Sequence, residues 1–137
     1  FVRLRNYFFA GAVVLIPIAI TLYLTLFLIK HTLGDYFLQF SWMYKDKAIY
    51  GAKGGIAHSG LHGVLTSLVL FLVGCSPLTY LLLGLVDSII HYHIDFIKSN
   101  IWKEKKLKPT DQTFWVIHGV DQLLHGLTYI FIIWIIL

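Results

Sequence analysis

Cysteine is nearly absent from this sequence: Cys75 is the only one in 137 residues. A lone thiol closes no internal disulfide and builds no cysteine-based metal site, so any metal must be held by histidines and carboxylates. Charge is scarce too. Asp, Glu, Lys and Arg make up 13% of the chain, 58% is hydrophobic, and mean hydropathy is +0.75. Soluble domains carry about a quarter charged residues, so this composition excludes an ordinary water-soluble globule and excludes disorder, and it names lipid as the solvent. No nucleophile elbow, phosphate-binding glycine loop or HExxH sequence occurs. Nor is there an internal repeat, a low-complexity segment or a linker able to separate domains, so residues 1–137 read as one membrane domain. Lys and Arg outnumber Asp and Glu by 11 to 7. Membrane proteins collect such an excess in cytoplasmic loops whatever they do, and nucleic acid is not an expected partner.

What is present in abundance is uncharged sequence. Tyr7 to Ile29 holds no charge over 23 residues, enough at 1.5 Å per residue for the roughly 30 Å hydrocarbon core. It lacks a small-residue cleavage site and reads as a retained helix. If that helix continues past Asp35 it must tilt, kink or protrude, with Pro17 the expected kink. Gly54 to Val86 is too long for one crossing and is interrupted at Gly74-Cys75-Ser76-Pro77, which predicts two antiparallel helices, about Ile56 to Val73 and Leu78 to Lys98. Ile101 to Thr110 (IWKEKKLKPT) reads as a loop. Thr110 or Asp111 then caps a last helix, about Asp111 to Leu137. The expected fold is all-α: an integral membrane four-helix up-down bundle in contact with the lipid bilayer.

Loop charge supplies an orientation. Lys45, Lys47 and Lys53 lie between the first and second helices, and Lys98, Lys103, Lys105, Lys106 and Lys108 between the third and fourth. The positive-inside rule makes that side cytoplasmic and places Cys75 and both ends outside. Trp42, Trp102 and Trp115 fall near the cytoplasmic interface and Trp134 near the other. Arg3 and Arg5 pull the first helix the opposite way.

The informative residues are polar ones inside apolar spans. An Asp at membrane depth costs ~2.5 to 3.5 kcal/mol on insertion scales and calls for a partner or a function. Here the polar groups come at fixed spacing: His31 with Asp35, His58 with His62, His91 with Asp95, and Asp121 with His125, each pair four residues apart. Positions i and i+4 share a helix face, so each helix offers a two-ligand clip. His118 lies one turn before Asp121. The clips come late on odd helices and early on even ones, so an up-down bundle gathers all four at its cytoplasmic end. Histidine with carboxylate in a bundle core suits a divalent transition metal, zinc foremost, with iron or manganese as alternatives. Eight ligands exceed one tetrahedral zinc, so either two metals bind or some members orient the others. The plainer alternative is hydrogen-bond glue between helices. Asp87 and His93 lie off the shared face and read as packing or interfacial groups. Ser59, Gly60 and Gly63 are expected to let helices approach closely.

Residues 28–137 resemble the small bacterial and phage membrane proteins grouped as domain of unknown function 3307. The resemblance rests on HTLGDYFLQ followed by Trp42 and Lys45, then HSGLHG, HYHIDFIK and DQLLH. It implies a multi-pass protein of the bacterial inner membrane and carries no activity with it. Residues 2–21 are instead similar to the first membrane segment of domain of unknown function 502. Such a join would account for the conflicting charge at the start, with Phe1 to Thr21 as an unusual fusion and residues 1–27 as an apolar segment of separate origin. Three functions follow from the residues. The first is a metal-dependent hydrolase acting on a lipid-associated or membrane-proximal substrate, with a leftover Asp or His as general base. The second is a non-catalytic accessory or assembly subunit of a larger membrane complex. The third, ranked last because the outer half lacks polar side chains, is ion or proton transfer.

Overall fold

A computed structural model describes residues 2–137, and Phe1, at the end of the expected fusion segment, lies outside them. The architecture is helical throughout: α1 (Val2–Thr32), a π-helical turn (Leu33–Phe37), α2 (Ser41–Tyr44), α3 (Lys53–Leu72), α4 (Pro77–Glu104) and α5 (Gln112–Ile136). Four of these helices are long and apolar enough to cross a membrane. They form an up-down ring in which α1 neighbours α3 and α5, and α4 closes the ring between them. Apolar residues that a soluble protein would bury face outward, among them Val64, Leu72 and Trp134 at 66%, 70% and 74% exposure. Such a surface is compatible with lipid contact and fits a multi-pass membrane protein.

The first helix runs past Asp35 without a reversal. Ile16 and Ile20 of α1 meet Ile133, Trp134 and Leu137, while Tyr23 is level with the α3–α4 turn at Gly74 and Cys75. The residues before Ile16 therefore extend beyond the last residue of α5, by about 20 Å at 1.5 Å per residue. The helix protrudes, and Pro17 sits inside it. Two boundaries differ from expectation. Helix α4 continues to Glu104, so the first four residues of the expected loop are helical and Lys98 is a helical residue. Asp111 occupies the N-cap of α5, but its carboxylate turns back to accept from the Lys108 amide at 2.7 Å instead of capping the helix.

The bundle is layered along its axis. An apolar layer of Phe27, Val69, Leu70, Leu83, Tyr129, Ile132 and Ile133 fills the end near the α3–α4 turn, with Phe27 and Tyr129 stacked at 5.2 Å. Above it α3 and α4 come into backbone contact: a Cβ on Gly63 would lie 2.6 Å from the Gly84 carbonyl oxygen, and one on Gly84 2.7 Å from that of Gly63. Gly63 therefore has the role expected of it. Gly60 does not, since nothing lies within 4 Å of its missing side chain. This contact closes the gap between the helices and brings the polar faces of α3 and α4 together just above.

Candidate functional site

The first polar layer is an ion pair. Lys30, at the end of the uncharged run on α1, donates to Asp87 Oδ2 at 2.7 Å, and Thr66 on α3 donates to the same oxygen at 2.7 Å. Both charged side chains are at most 3% exposed. Asp87 is thus a packing group, as its position off the shared face implied, but a fully buried one.

One turn further lies the histidine layer. His31, His58, His62, His91 and His125 are all buried, with 5% exposure or less. His62 and His91 stack at 3.8 Å between ring centres, His91 and His125 lie 4.2 Å apart, and His31 and His125 4.8 Å. The structure therefore brings the imidazoles of all four clips to one end of the bundle. Asp35 reaches them from the π-helical turn, which the bond from the Leu38 amide to the Leu33 carbonyl closes at 2.9 Å. Its Oδ1 lies 3.2 Å from Nε2 of both His58 and His62, and its Oδ2 3.2 Å from Nε2 of His31. Nε2 of His58 and His91 are 3.1 Å apart. His62 leaves both ring nitrogens buried without a hydrogen bond among the described residues, as does Nε2 of His31.

Those spacings suit a cation. A tetrahedral ion with ligand bonds of about 2.0–2.1 Å keeps neighbouring ligand atoms about 3.3–3.4 Å apart. Asp35, His58, His62 and His91 each bring one ligand atom within 4.8 Å of the others, as do the trio His31, His91, His125 and the trio Asp95, Asp121, His125. The three groups are not equivalent. Asp95 accepts from Lys47 at 2.6 Å and from Lys98 at 2.8 Å, and Asp121 accepts from Lys98 at 2.9 Å. Two ammonium groups already neutralise those carboxylates, so a cation there would meet its own charge. Asp35 makes no ion pair with a lysine among the described residues, and the partners of its two oxygens are the imidazoles of His31, His58 and His62. His31 also shares a 2.7 Å hydrogen bond between Nδ1 and the Tyr129 hydroxyl, which fixes its ring beside the outer oxygen of Asp35.

The remaining clip residues sit at the edge of this group. His125 Nε2 lies 3.6 Å from Asp121 Oδ1 and 3.9 Å from Asp95 Oδ1. His118, partly exposed, lies 3.9 Å from Asp121. His93 is outside the cluster, exposed, its ring bonded to the Ile89 carbonyl at 2.8 Å.

Three lysines in these layers escape a reading of the sequence by charge. Lys47 and Lys98 look like loop charges, yet both point inward to Asp95. Burial pushes the Lys47 ammonium below its ordinary 10.5, while Asp95 pulls it back up. Lys30 has a signal in hindsight: it ends one uncharged run, Asp87 ends the other, and opposite charges in such places pair. The π-helical turn has none, because no residue type marks it.

A cavity of ≈ 480 Å³ opens beside Asp35 at the lysine-rich end, between the α2 segment and the ends of α4 and α5. Of the residues that meet the histidine layer, Asp35 lines this cavity, while the apolar layer fills the opposite end of the bundle. No curated protein and no solved structure matches the chain. Residues 23–137, well over half of the chain, match the model of a family described as "Protein of unknown function (DUF3307)", and the chain belongs to that family.

Proposed function

We propose that the protein is a metal-dependent hydrolase of the bacterial inner membrane, with Asp35, His58, His62 and His91 holding one divalent transition metal, zinc foremost. The observation that carries this reading is the carboxylate of Asp35, which pairs with no lysine among the described residues and is set 3.2 Å from two imidazole nitrogens on the wall of a cavity. An ion held there would supply Lewis acidity and would lower the pKa of a water that joins the four side chains as a fifth ligand or replaces one of them. His31 is a positioning residue, fixed by Tyr129 and holding the outer oxygen of Asp35. Asp95, Asp121 and His125, with Lys47 and Lys98, form a charged brace behind the ligands. His118, on the cavity wall beside Asp121, is the imidazole placed to carry protons between the centre and bulk water. The test is an assay of the purified protein in nanodiscs against a panel of membrane-proximal esters. Chelation must abolish hydrolysis, added metal must restore it, and Asp35→Asn must not respond to metal. Hydrolysis indifferent to chelator contradicts the reading.

A second reading draws on the lysines. Lys30, Lys47 and Lys98 neutralise Asp87, Asp95 and Asp121, so most of the buried charge is balanced without any ion. That favours an accessory subunit of a membrane complex whose polar layers fix the helix packing. Protein that contains no metal and co-purifies stoichiometrically with another membrane protein supports it.

A further inference from the structure

The cavity beside Asp35 has a one-sided chemistry. Lys45, Lys47, Lys98 and Lys103 line it, and Asp35 is the only carboxylate on its wall. An ammonium has three N–H donors. Among the described residues Lys47 spends one on Asp95, and Lys98 spends two, on Asp95 and Asp121. Lys45 and Lys103 are exposed and make no ion pair among those residues. One further donor on a wall residue, Trp102 Nε1, is buried and makes no hydrogen bond among the described residues. The wall thus gathers N–H groups and positive charge from α4 and the α2 segment around one space.

Such a wall asks for an anion rich in acceptors. A cavity of ≈ 480 Å³ is far larger than a halide needs and falls within the roughly 300–1,000 Å³ range of small-molecule sites. Lysines are point charges that approach from several directions, unlike the planar fork that arginine offers a carboxylate. That suits a tetrahedral phosphate, with three terminal oxygens and a charge of about −1.5 to −2 at neutral pH. Tyr36 and Tyr44 also line the cavity and are exposed at the ends of their helical segments, where amphipathic rings favour the headgroup zone.

We infer that this cavity binds the phosphate group of a phosphoester at the bilayer surface. The assignment of a phosphoester as substrate rests on the hydrolytic reading above, whereas phosphate binding itself does not.

The test titrates purified protein in detergent micelles by calorimetry with three probes: inorganic phosphate, dihexanoyl phosphatidic acid and dihexanoylglycerol. At least one phosphate-bearing probe binds and dihexanoylglycerol does not. Lys45→Gln/Lys103→Gln, which alters two exposed side chains, weakens binding by about tenfold or more, the scale of two charge-assisted hydrogen bonds. Lys105→Gln/Lys106→Gln, off the wall, leaves it unchanged. Binding of phosphatidic acid alone identifies a lipid headgroup as the source, and equal binding of inorganic phosphate identifies a soluble one. Binding of dihexanoylglycerol as tightly as phosphatidic acid, no binding of any probe, or indifference to Lys45→Gln/Lys103→Gln overturns the inference. Repeating the titration after chelation separates it from the metal reading. Phosphate binding in protein that holds no metal leaves the cavity standing and removes the metal; metal without phosphate binding does the reverse.

Discussion

The imidazole of His62 packs directly against the bare backbone of Gly34, one residue before Asp35. A Cβ at position 34 would overlap the His62 ring, so the absent side chain is what lets α3 bring this histidine up to the carboxylate on the π-helical turn. The contact joins two of the proposed ligands through a residue that ligates nothing.

Gly34→Ala is therefore expected to push His62 away from Asp35. The overpacking should cost about 1–3 kcal/mol of stability. Metal affinity should fall by about 10- to 100-fold, the usual effect of disturbing a ligand's supporting shell. Competition with a chromogenic chelator reads the affinity, and thermal melting reads the stability. A melt lowered with metal affinity unchanged would place His62 outside the metal centre.

Asp35→Asn and Asp95→Asn should behave differently although both remove a buried carboxylate. Asp35 faces imidazoles, so its amide variant should fold, lose metal and become insensitive to chelators. Asp95 holds Lys47 and Lys98, and its loss leaves two buried ammonium groups short of a partner, at a cost of about 3–5 kcal/mol with or without metal. His93→Ala, outside the cluster, should change neither quantity. Equal metal loss with equal destabilisation in both Asp variants would dissolve the distinction between ligands and brace.

The Lys30–Asp87 pair should act as a unit. Lys30→Met alone strands a carboxylate at 1% exposure and should destabilise by about 3–5 kcal/mol. The double variant Lys30→Met/Asp87→Leu should recover most of that, because an apolar pair of similar volume carries no desolvation penalty. Melting temperatures of the two single variants and the double give the coupling. Additive losses would show that the pair is not coupled.

Cys75 reports orientation. It sits in the α3–α4 turn, and with eight lysines at the opposite end of the bundle or its loops the positive-inside rule predicts that this turn faces outward. Burial raises its thiol above the ordinary 9.0, so less thiolate is present at any given pH and labelling should be slow at neutral pH, quickening as pH rises towards 9. An impermeant maleimide should react from the outer face of intact cells. Reaction only from the cytoplasmic side of inverted vesicles would reverse the orientation.

The clips were legible in the sequence because the i, i+4 rule needs nothing beyond a helix, and their meeting at one end follows from up-down connectivity. The family resemblance was legible in the same motifs. The lysines were not, because the rule that assigns lysine to cytoplasmic loops holds for the population and is broken by individuals such as Lys47 and Lys98. Their long stems let a charge that starts at the membrane surface end inside the bundle. Division of the eight polar residues into ligands and brace depends on which carboxylate each ammonium reaches, and spacing along one helix carries no information about that. The π-helical turn at Asp35 also lay beyond reach, since no residue type marks such a turn, although α3 packs against it.

X-ray absorption on protein purified without a metal-affinity column asks whether Asp35, His58, His62 and His91 hold an ion. The expected result is about one divalent transition metal per chain, nitrogen and oxygen ligands at about 2.0–2.1 Å, and the multiple scattering of imidazole rings, all lost in Asp35→Asn. Protein that carries no metal, takes none up on addition, and melts at the same temperature with and without chelator would contradict it.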